Sequence, residues 1–222
     1  MKSEMIAIYG ASGFGREVAW LVESCQDGRI VVCFMDDDER KQGTTFNGIP
    51  VVSLKRAAEK YPAAKVVAGI GSPRIREKLM KKTASCGFSF GTLVHPRVEM
   101  SNWVEMGDGV VICAGNILTT NIRLGKHVQI NLGCTIGHDV VMGDYATLAP
   151  GVHISGWVHI GKRVYIGTGA VIINGTQDKP IIIGDDAVIG AGACVTLSIP
   201  EGETWVGVPA KVIKPLPKEK DI

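Results

Sequence analysis

Residues 131–150 read NLGCTIGHDVVMGDYATLAP. Large aliphatic residues recur there every six positions, at Ile136, Met142 and Leu148, and one charged pair, His138-Asp139, interrupts a run of small and apolar residues. Followed outward, the rhythm runs unbroken through Met100, Met106, Ile112, Leu118, Leu124, Ile130, Ile136, Met142, Leu148, Ile154, Ile160, Ile166 and Ile172. Two residues before most of these lies a small or β-branched one, such as Val110, Val128, Cys134, Val140, Ala146, Val152 and Val164. Glycine often follows, as at 107, 125, 137, 143, 161 and 167. A six-residue period matches neither the 3.6 of a helix nor the 2 of an ordinary strand; it is the hexapeptide pattern of a parallel β-helix. Each hexad then supplies one short strand whose two inward positions fill a central column, and the glycine is expected to ease the corner turn. The rhythm stumbles in NGTQDKP (174–180) and resumes at Ile183, Ile189 and Val195, so this segment should loop out of the wall.

Upstream the pattern changes. MIAIY (5–9) is a short apolar strand, followed by GASGFG and by REVAWLVESC with helical apolar spacing. RIVVCFMDDD (29–38) and AKVVAGIG (64–71) read as further strands, and LKRAAEKY and PRIREKLMKKTASCG as helices. Alternating strands and helices predict a parallel, helix-covered sheet over residues 1–96, ahead of a β-helix with a C-terminal cap over 97–222. In such a sheet ligands bind beyond the strand carboxyl ends. Gly10, Ser12, Gly13 and Phe14 lie there, running into a helix N-terminus that favours phosphate, beside Asp36, Asp37 and Gly71. A dinucleotide-dependent reductase is disfavoured, because about 96 residues do not accommodate two mononucleotide-binding halves and a substrate domain.

The composition excludes other classes. A net charge of +2 gives no reason to expect nucleic acid or an anionic membrane as partner. No apolar run approaches the ~18 residues of a membrane span, and the start has no signal-peptide apolar segment. Six scattered cysteines without metal-type spacing read as reduced core residues of a cytoplasmic protein. The 28 glycines are nearly twice the usual ~7% share, as a tightly wound repeat requires.

An IYGASGFG…FMDD…GIGS unit, hexapeptide repeats containing IGHDVVMGD, and a terminal GVPAK (207–211) together resemble bacterial sugar acetyltransferases of the left-handed β-helix superfamily. Nearest are the bacillosamine- and perosamine-type N-acetyltransferases and the sialic acid O-acetyltransferase relatives. The resemblance covers nearly the whole chain. It implies left-handed coiling, a homotrimer with active sites between subunits, acetyl-CoA as co-substrate, and no metal. It makes His138 the general base and Asp139 its orienting carboxylate. Thr147, Gly156, Thr168, Ala191 and Lys211 become acetyl-CoA contacts, with the Gly156 amide facing the thioester carbonyl. Thr147 stands where relatives commonly carry a second histidine, and Phe14 where they often carry one in the nucleotide loop. Ser12, Gly13 and Phe14 become the pyrophosphate-cradling turn on Gly10, Asp36 and Asp37 the nucleoside contacts, Gly71 the floor beneath it, and Asn131 a sugar contact. The implied activity is N-acetylation of a nucleotide-linked amino sugar, a 4-amino-4,6-dideoxyhexose, for lipopolysaccharide O-antigen or another surface glycan. O-acetylation of a sialic acid-type sugar and a non-catalytic sugar-nucleotide-binding trimer are the alternatives.

The repeat itself separates the histidines. His138 falls at a corner just after inward Ile136, whereas His153 and His159 each precede an inward residue on a flat outer face. That separation disfavours a zinc site of the γ-type carbonic anhydrase kind. His127, at a loop-like position, and His95, before a proline, read as surface residues.

Overall fold

A computed structural model of the protein describes residues 4–213; the predicted extension of the second unit to residue 222, and the first three residues of the chain, lie outside the described residues. The N-terminal unit runs β1 (Met5–Tyr9), α1 (Gly13–Cys25), β2 (Ile30–Met35), β3 (Thr45–Phe46), β4 (Ile49–Val52), α2 (Leu54–Lys60), β5 (Lys65–Ala68) and α3 (Pro73–Ser85). Its sheet has the order β3-β4-β2-β1-β5, parallel except for the β3–β4 hairpin. The strands read as continuous apolar runs because both faces are covered. Ile6 and Ile8 of β1 pack with Val18, Leu21 and Val22 of α1, while Ala7 and Tyr9 pack with Leu54, Ala57 and Met80 on the opposite face. The hairpin escaped the reading of periodicity, yet it carries a signal. Asn47 and Gly48 between its strands have φ of 50° and 77°, the conformation that favours Asn-Gly in two-residue hairpins.

The remainder is a three-sided parallel β-helix. Residues 18 positions apart pair: Gln129 with Thr147, Thr147 with Tyr165, and Thr135 with His153. A first sheet of eight strands runs from Leu93–Val94 to Lys211–Ile213, a second of six from Glu99–Met100 to Cys194–Val195, and a third of five from Val104–Met106 to Ile181–Ile183. Inward residues from all three, among them Ile130, Cys134, Ile136, Val140, Met142 and Ala146, form one buried column. At about 1.5–3 kcal/mol for each fully buried large side chain, this column is the main stabilising feature of the solenoid. The first rung, Leu93–Val94, lies ahead of the boundary expected at residue 97. Val94 continues the six-residue rhythm backward from Met100, but Pro96 obscures it in the sequence. Met100, at the open end of its sheet, is exposed.

The glycines that follow the aliphatic positions act otherwise than expected. Gly137 has no positive φ; a Cβ there would stand 2.8 Å from the Gly156 nitrogen, so its role is close approach between successive coils. Left-handed corner positions fall elsewhere, and between the second and third sheets they are occupied by Asn121, Asp139 and Trp157. Segment 174–180 leaves the wall at this same corner, between Val171–Ile172 of the second sheet and Ile181–Ile183 of the third.

The α/β unit docks on the outer face of the first sheet, where Leu93, Val111 and Cys113 join the α1 core. Its anchor is Arg76 of α3, which is fully buried. Nε donates to the His127 carbonyl at 3.1 Å. Nη1 donates to Ile70 and Gly71 carbonyls and to Gln129 Oε1, at 2.9, 3.1 and 2.7 Å. Nη2 donates to Tyr145 and Ala146 carbonyls and to Thr147 Oγ1, at 2.5, 3.2 and 2.9 Å. Gln129 in turn donates to the Ala68 carbonyl at 2.7 Å. Burial pulls the guanidinium pKa down to about 9, which leaves it charged at neutral pH. At the rim, Arg163 pairs with Asp186 and Glu77, and Arg74 with Asp186.

Two histidines expected on the surface are interior because they lie under this docked unit. His127 is 3% exposed, stacked on Tyr145 at 5.0 Å and edge-on to Phe90 at 4.5 Å. His95 is also buried, its Nδ1 accepting from the Arg97 N–H at 3.0 Å. All six cysteines are free, but Cys86 is exposed and Cys25 and Cys194 are half-buried, so only Cys33, Cys113 and Cys134 are core residues. Among the described residues no helix is long and apolar enough to cross a membrane.

Replacing Arg76 with Met should cost about 3–5 kcal/mol, since buried oxygens lose their donors, and urea denaturation reads this as a lower midpoint. Burial first, and Arg76 second, depress the His127 pKa to about 4. An unfolded histidine titrates near 6.5, so the unfolded chain binds more protons between these values. Stability from neutral His127 is therefore full above pH 6.5 and falls, by on the order of 2–3 kcal/mol, as pH drops toward 4. His127→Phe should flatten this part of the pH–stability curve.

Candidate active site

In the α/β unit the chain passes from β1 to β2 on one side and later to β5 on the other, so a crevice opens at the carboxyl ends of β1 and β5. Gly10 lines it with φ 109°, and a Cβ on Gly15 would fall 1.9 Å from the Gly10 carbonyl oxygen, so only glycine lets α1 start this close to the strand. Gly15 was not among the expected site residues, although it closes the Gly-x-x-Gly-x-Gly run. Ser12 and Gly13 are exposed at the mouth, and Ser12 caps α1 without a side-chain hydrogen bond. Phe14 is half-buried and packs against the α1 core. Across the crevice, Ser72 caps α3 in the same unbonded way with Pro73 at the first turn, a Ser-Pro start signal the sequence reading missed. Two helix N-termini with free serine hydroxyls therefore face one opening.

Asp36 holds this loop together. Its carboxylate accepts from the N–H groups of Ala11 and Asp38, both at 3.0 Å, and from Lys41 at 2.9 Å. Burial alone would raise its pKa, but these donors outweigh burial and hold it below the ordinary value. Asp37 points to the other face of the sheet, accepting from the Tyr9 hydroxyl at 2.8 Å and from Lys82 at 3.0 Å. Gly71 has open space above its Cα, while its carbonyl accepts from Arg76 and from the Thr147 hydroxyl at 3.0 Å. A cleft of about 430 Å³ continues from Gly71, Ser72 and Arg74 to Tyr165 and Val188 of the first sheet.

His138 stands at the corner between the second and third sheets. Its ring is 53% exposed, and Nδ1 lies 2.7 Å from Oδ2 of Asp139, itself 24% exposed. The carboxylate can only accept, so Nδ1 carries the hydrogen and Nε2 presents a lone pair. Asp139 reaches its neighbour because it occupies a left-handed position, φ 57°, which aspartate tolerates better than most residues. Gly156 sits one coil further on, directly beneath the ring: a Cβ there would lie 2.5 Å from both Cε1 and Nε2 of His138. The Gly156 N–H donates to no group among the described residues, whereas the Trp157 N–H donates to the His138 carbonyl at 3.1 Å. Trp157 sets its ring edge-on to the imidazole at 6.3 Å. A cleft of about 400 Å³ beside the pair is lined by Trp103, Asn121, Arg123, Asp139, Trp157 and His159.

Other expected contacts scatter over the solenoid. Thr147 is 1% exposed and bonded between Arg76 and Gly71, so the docked α/β unit seals it from any coenzyme, which corrects its expected role. Asn131 is half-exposed at the corner between the first and second sheets, the width of a sheet away from the His138 corner. Thr168 and Ala191 are exposed and successive in that same first–second corner, the Gly192 N–H donating to the Thr168 carbonyl at 2.8 Å. Lys211 is exposed on the final antiparallel strand. His153 and His159 stand on the second and third sheets, and among the described residues no cluster of His, Cys, Asp and Glu can hold a metal ion.

A β-helix with an acid-paired imidazole above a free amide, joined to a crevice with two open helix N-termini, defines an acyltransferase of the hexapeptide-repeat type. Residues 5–83 match the PglD N-terminal domain family. The chain is similar to GDP-perosamine N-acetyltransferase of Escherichia coli O157:H7, at 33% identity over 96% of this chain and 98% of that one. It is similar to the structure of WeeI from Acinetobacter baumannii AYE, with 40% identity, 95% and 100% coverage and a TM-score of 0.89. It is similar also to PerB from Caulobacter crescentus in complex with CoA and GDP-perosamine, with 30% identity, 94% and 97% coverage and a TM-score of 0.85. The chain belongs to the family of perosamine- and bacillosamine-type nucleotide-amino-sugar N-acetyltransferases.

Gly156→Ala should displace the imidazole without unfolding the column. The expected result is a loss of about 10²-fold in kcat, as for a misplaced catalytic group, with an unchanged thermal midpoint.

Proposed function

We propose that this protein transfers the acetyl group of acetyl-CoA to the amine of a nucleotide-linked amino sugar, a 4-amino-4,6-dideoxyhexose, in surface-glycan biosynthesis. The observation that carries this is the Asp139–His138–Gly156 arrangement. The sugar amine attacks the thioester carbonyl carbon while His138 Nε2 takes its proton. Asp139 holds the ring tautomer and stabilises the imidazolium, and the Gly156 N–H donates to the oxyanion that forms. Collapse breaks the C–S bond, and the proton on Nε2 passes to the departing thiolate. A thioester is already an activated acyl donor, so this route calls for no metal.

The acceptor's nucleotide belongs in the α/β crevice, its diphosphate on Ser12, Gly13 and the α1 N-terminus and its nucleoside toward Asp36 and Gly71. Asp37, turned to the other face, is left out of this contact set. Ser72 adds a second donor there. Coenzyme A belongs on the solenoid, with Gly156, Thr168, Ala191 and Lys211 along its length. One chain cannot bring these together. The α/β unit covers the first sheet, whereas His138 stands at the corner opposite that sheet; Gly156 and Thr168 likewise sit at opposite edges of the second sheet. Joining the corner of one copy to the crevice of the next supplies both sites, and three copies about an axis parallel to the solenoid close the ring. Exposed Ile117 and Val171 on the second sheet give such neighbours an apolar face. The free thiols fit a reducing cytoplasm, where we place the enzyme.

An acetyl-transfer screen over nucleotide-linked amino sugars, read by mass spectrometry, should yield a product heavier by one acetyl group. His138→Ala should lower turnover about 10²–10⁴-fold with assembly intact. Ser12→Glu places a negative charge at the α1 N-terminus and should be inactive through loss of acceptor affinity. Co-expression of the two variants should restore part of the activity, because mixed assemblies pair an intact corner with an intact crevice. A mixture as inactive as its components would rule out the shared site.

A further inference from the structure

We infer that segment 174–180 forms one wall of the channel for the pantetheine arm of coenzyme A; this rests on the acetyl-transfer reading above. The segment is the one place in residues 100–195 where the six-residue rhythm fails: eleven positions separate Ile172 from Ile183 instead of six. Its position is set by backbone bonds. The Asp139 N–H donates to the Thr120 carbonyl, the Trp157 N–H to that of His138, and the Gly175 N–H to that of Gly156 at 3.0 Å. Thr120, His138, Gly156 and Asn174, eighteen residues apart, therefore form a single corner stack, with about 4.8 Å between successive coils. The loop springs from the coil just beyond Gly156, and the Ile181 N–H returns it to the Trp157 carbonyl at 3.0 Å. Its root is tight, since a Cβ on Gly175 would fall 2.6 Å from both the Ile181 nitrogen and the Trp157 oxygen.

The direction of the chemistry decides what passes this loop. The attacking amine must lie between His138 Nε2 and the carbonyl carbon, and the carbonyl oxygen faces the Gly156 N–H. The leaving sulfur then departs on the side away from His138, along the stack toward Asn174 and the root of the loop at Gly175. The pantetheine arm attached to that sulfur has to run past the base of the loop. Thr176, Gln177, Asp178 and Lys179 are exposed there, and Thr176 and Lys179 bond each other, the two N–H···O distances being 3.0 and 3.2 Å, so the tip is a closed turn. Such a turn offers hydroxyl, amide and main-chain groups to the two amides of pantetheine. An ordinary four-residue corner at this point would leave that flank of the arm in water.

Calorimetry with coenzyme A alone, and with pantetheine alone, tests this without knowledge of the acceptor. Deleting residues 176–180 restores the six-residue spacing; a second variant keeps the length and replaces residues 176–179 with Gly-Ser-Gly-Ser, which serves if the deletion does not fold. The expected result is a Kd for coenzyme A raised about tenfold in either folded variant, with a similar fold-loss for pantetheine. Unchanged coenzyme A affinity overturns the assignment, as does a loss seen with coenzyme A but not with pantetheine, which would move the contact to the phosphates. If the unaltered protein binds no coenzyme A, the acetyl-transfer reading fails, and the loop assignment falls with it.

Discussion

A single buried cation sets the relation between the two halves of this molecule. Among the described residues Arg76 has no carboxylate partner; its charge is met by main-chain carbonyls from the end of β5 and from two successive coils, together with Gln129 and Thr147. A desolvated guanidinium is costly unless its donors are satisfied, so the cluster tolerates little displacement. Main-chain acceptors move only with their elements. The turn carrying Gly71 and Ser72 is thus held in register with the coils that carry His127 and Tyr145, and the α/β unit is fixed against the solenoid. The same burial keeps His127 neutral and interior, and closes Thr147 to solvent.

The His138 corner follows from the repeat. A coil of 18 residues places equivalent corners directly above one another. A side chain projecting along the axis at one corner must then fit over the residue at the next. The His138 ring lies over Gly156, where any side chain would collide with it, and a glycine leaves its N–H open beside the imidazole. Space for the imidazole thus comes from one absent Cβ, beside a main-chain N–H that donates to no group among the described residues. Asp139 serves twice, accepting the left-handed corner conformation and fixing the ring through Nδ1.

Much of this was legible in the chain. The six-residue rhythm marked every coil from Met100 to Ile172, the break marked the loop that leaves the wall, and His138-Asp139 stood out as the polar pair at a corner. The α/β order and its glycine loop were legible too, because buried parallel strands are short uniform apolar runs. Failures came where position depended on a distant partner. His127 and His95 read as surface residues until α3 and α1 were packed over them. Thr147 read as open to a ligand, since nothing local announces that an arginine 71 positions earlier will bond it. Asn131 and Thr168 lie at the corner between the first and second sheets, a sheet's width from His138, a separation that the spacing along the chain does not reveal.

Sequence by itself determined the period, and with it the coil, the inward column, the corner of His138 and the loop insertion, because these depend on residues a few positions apart. Tertiary structure alone decided which face the α/β unit covers, which polar side chains are sealed beneath it, and that the His138 corner and the α/β crevice lie on opposite sides of one chain. Those depend on where Arg76 finds enough oxygen atoms to leave water. No local pattern of residues encodes that location.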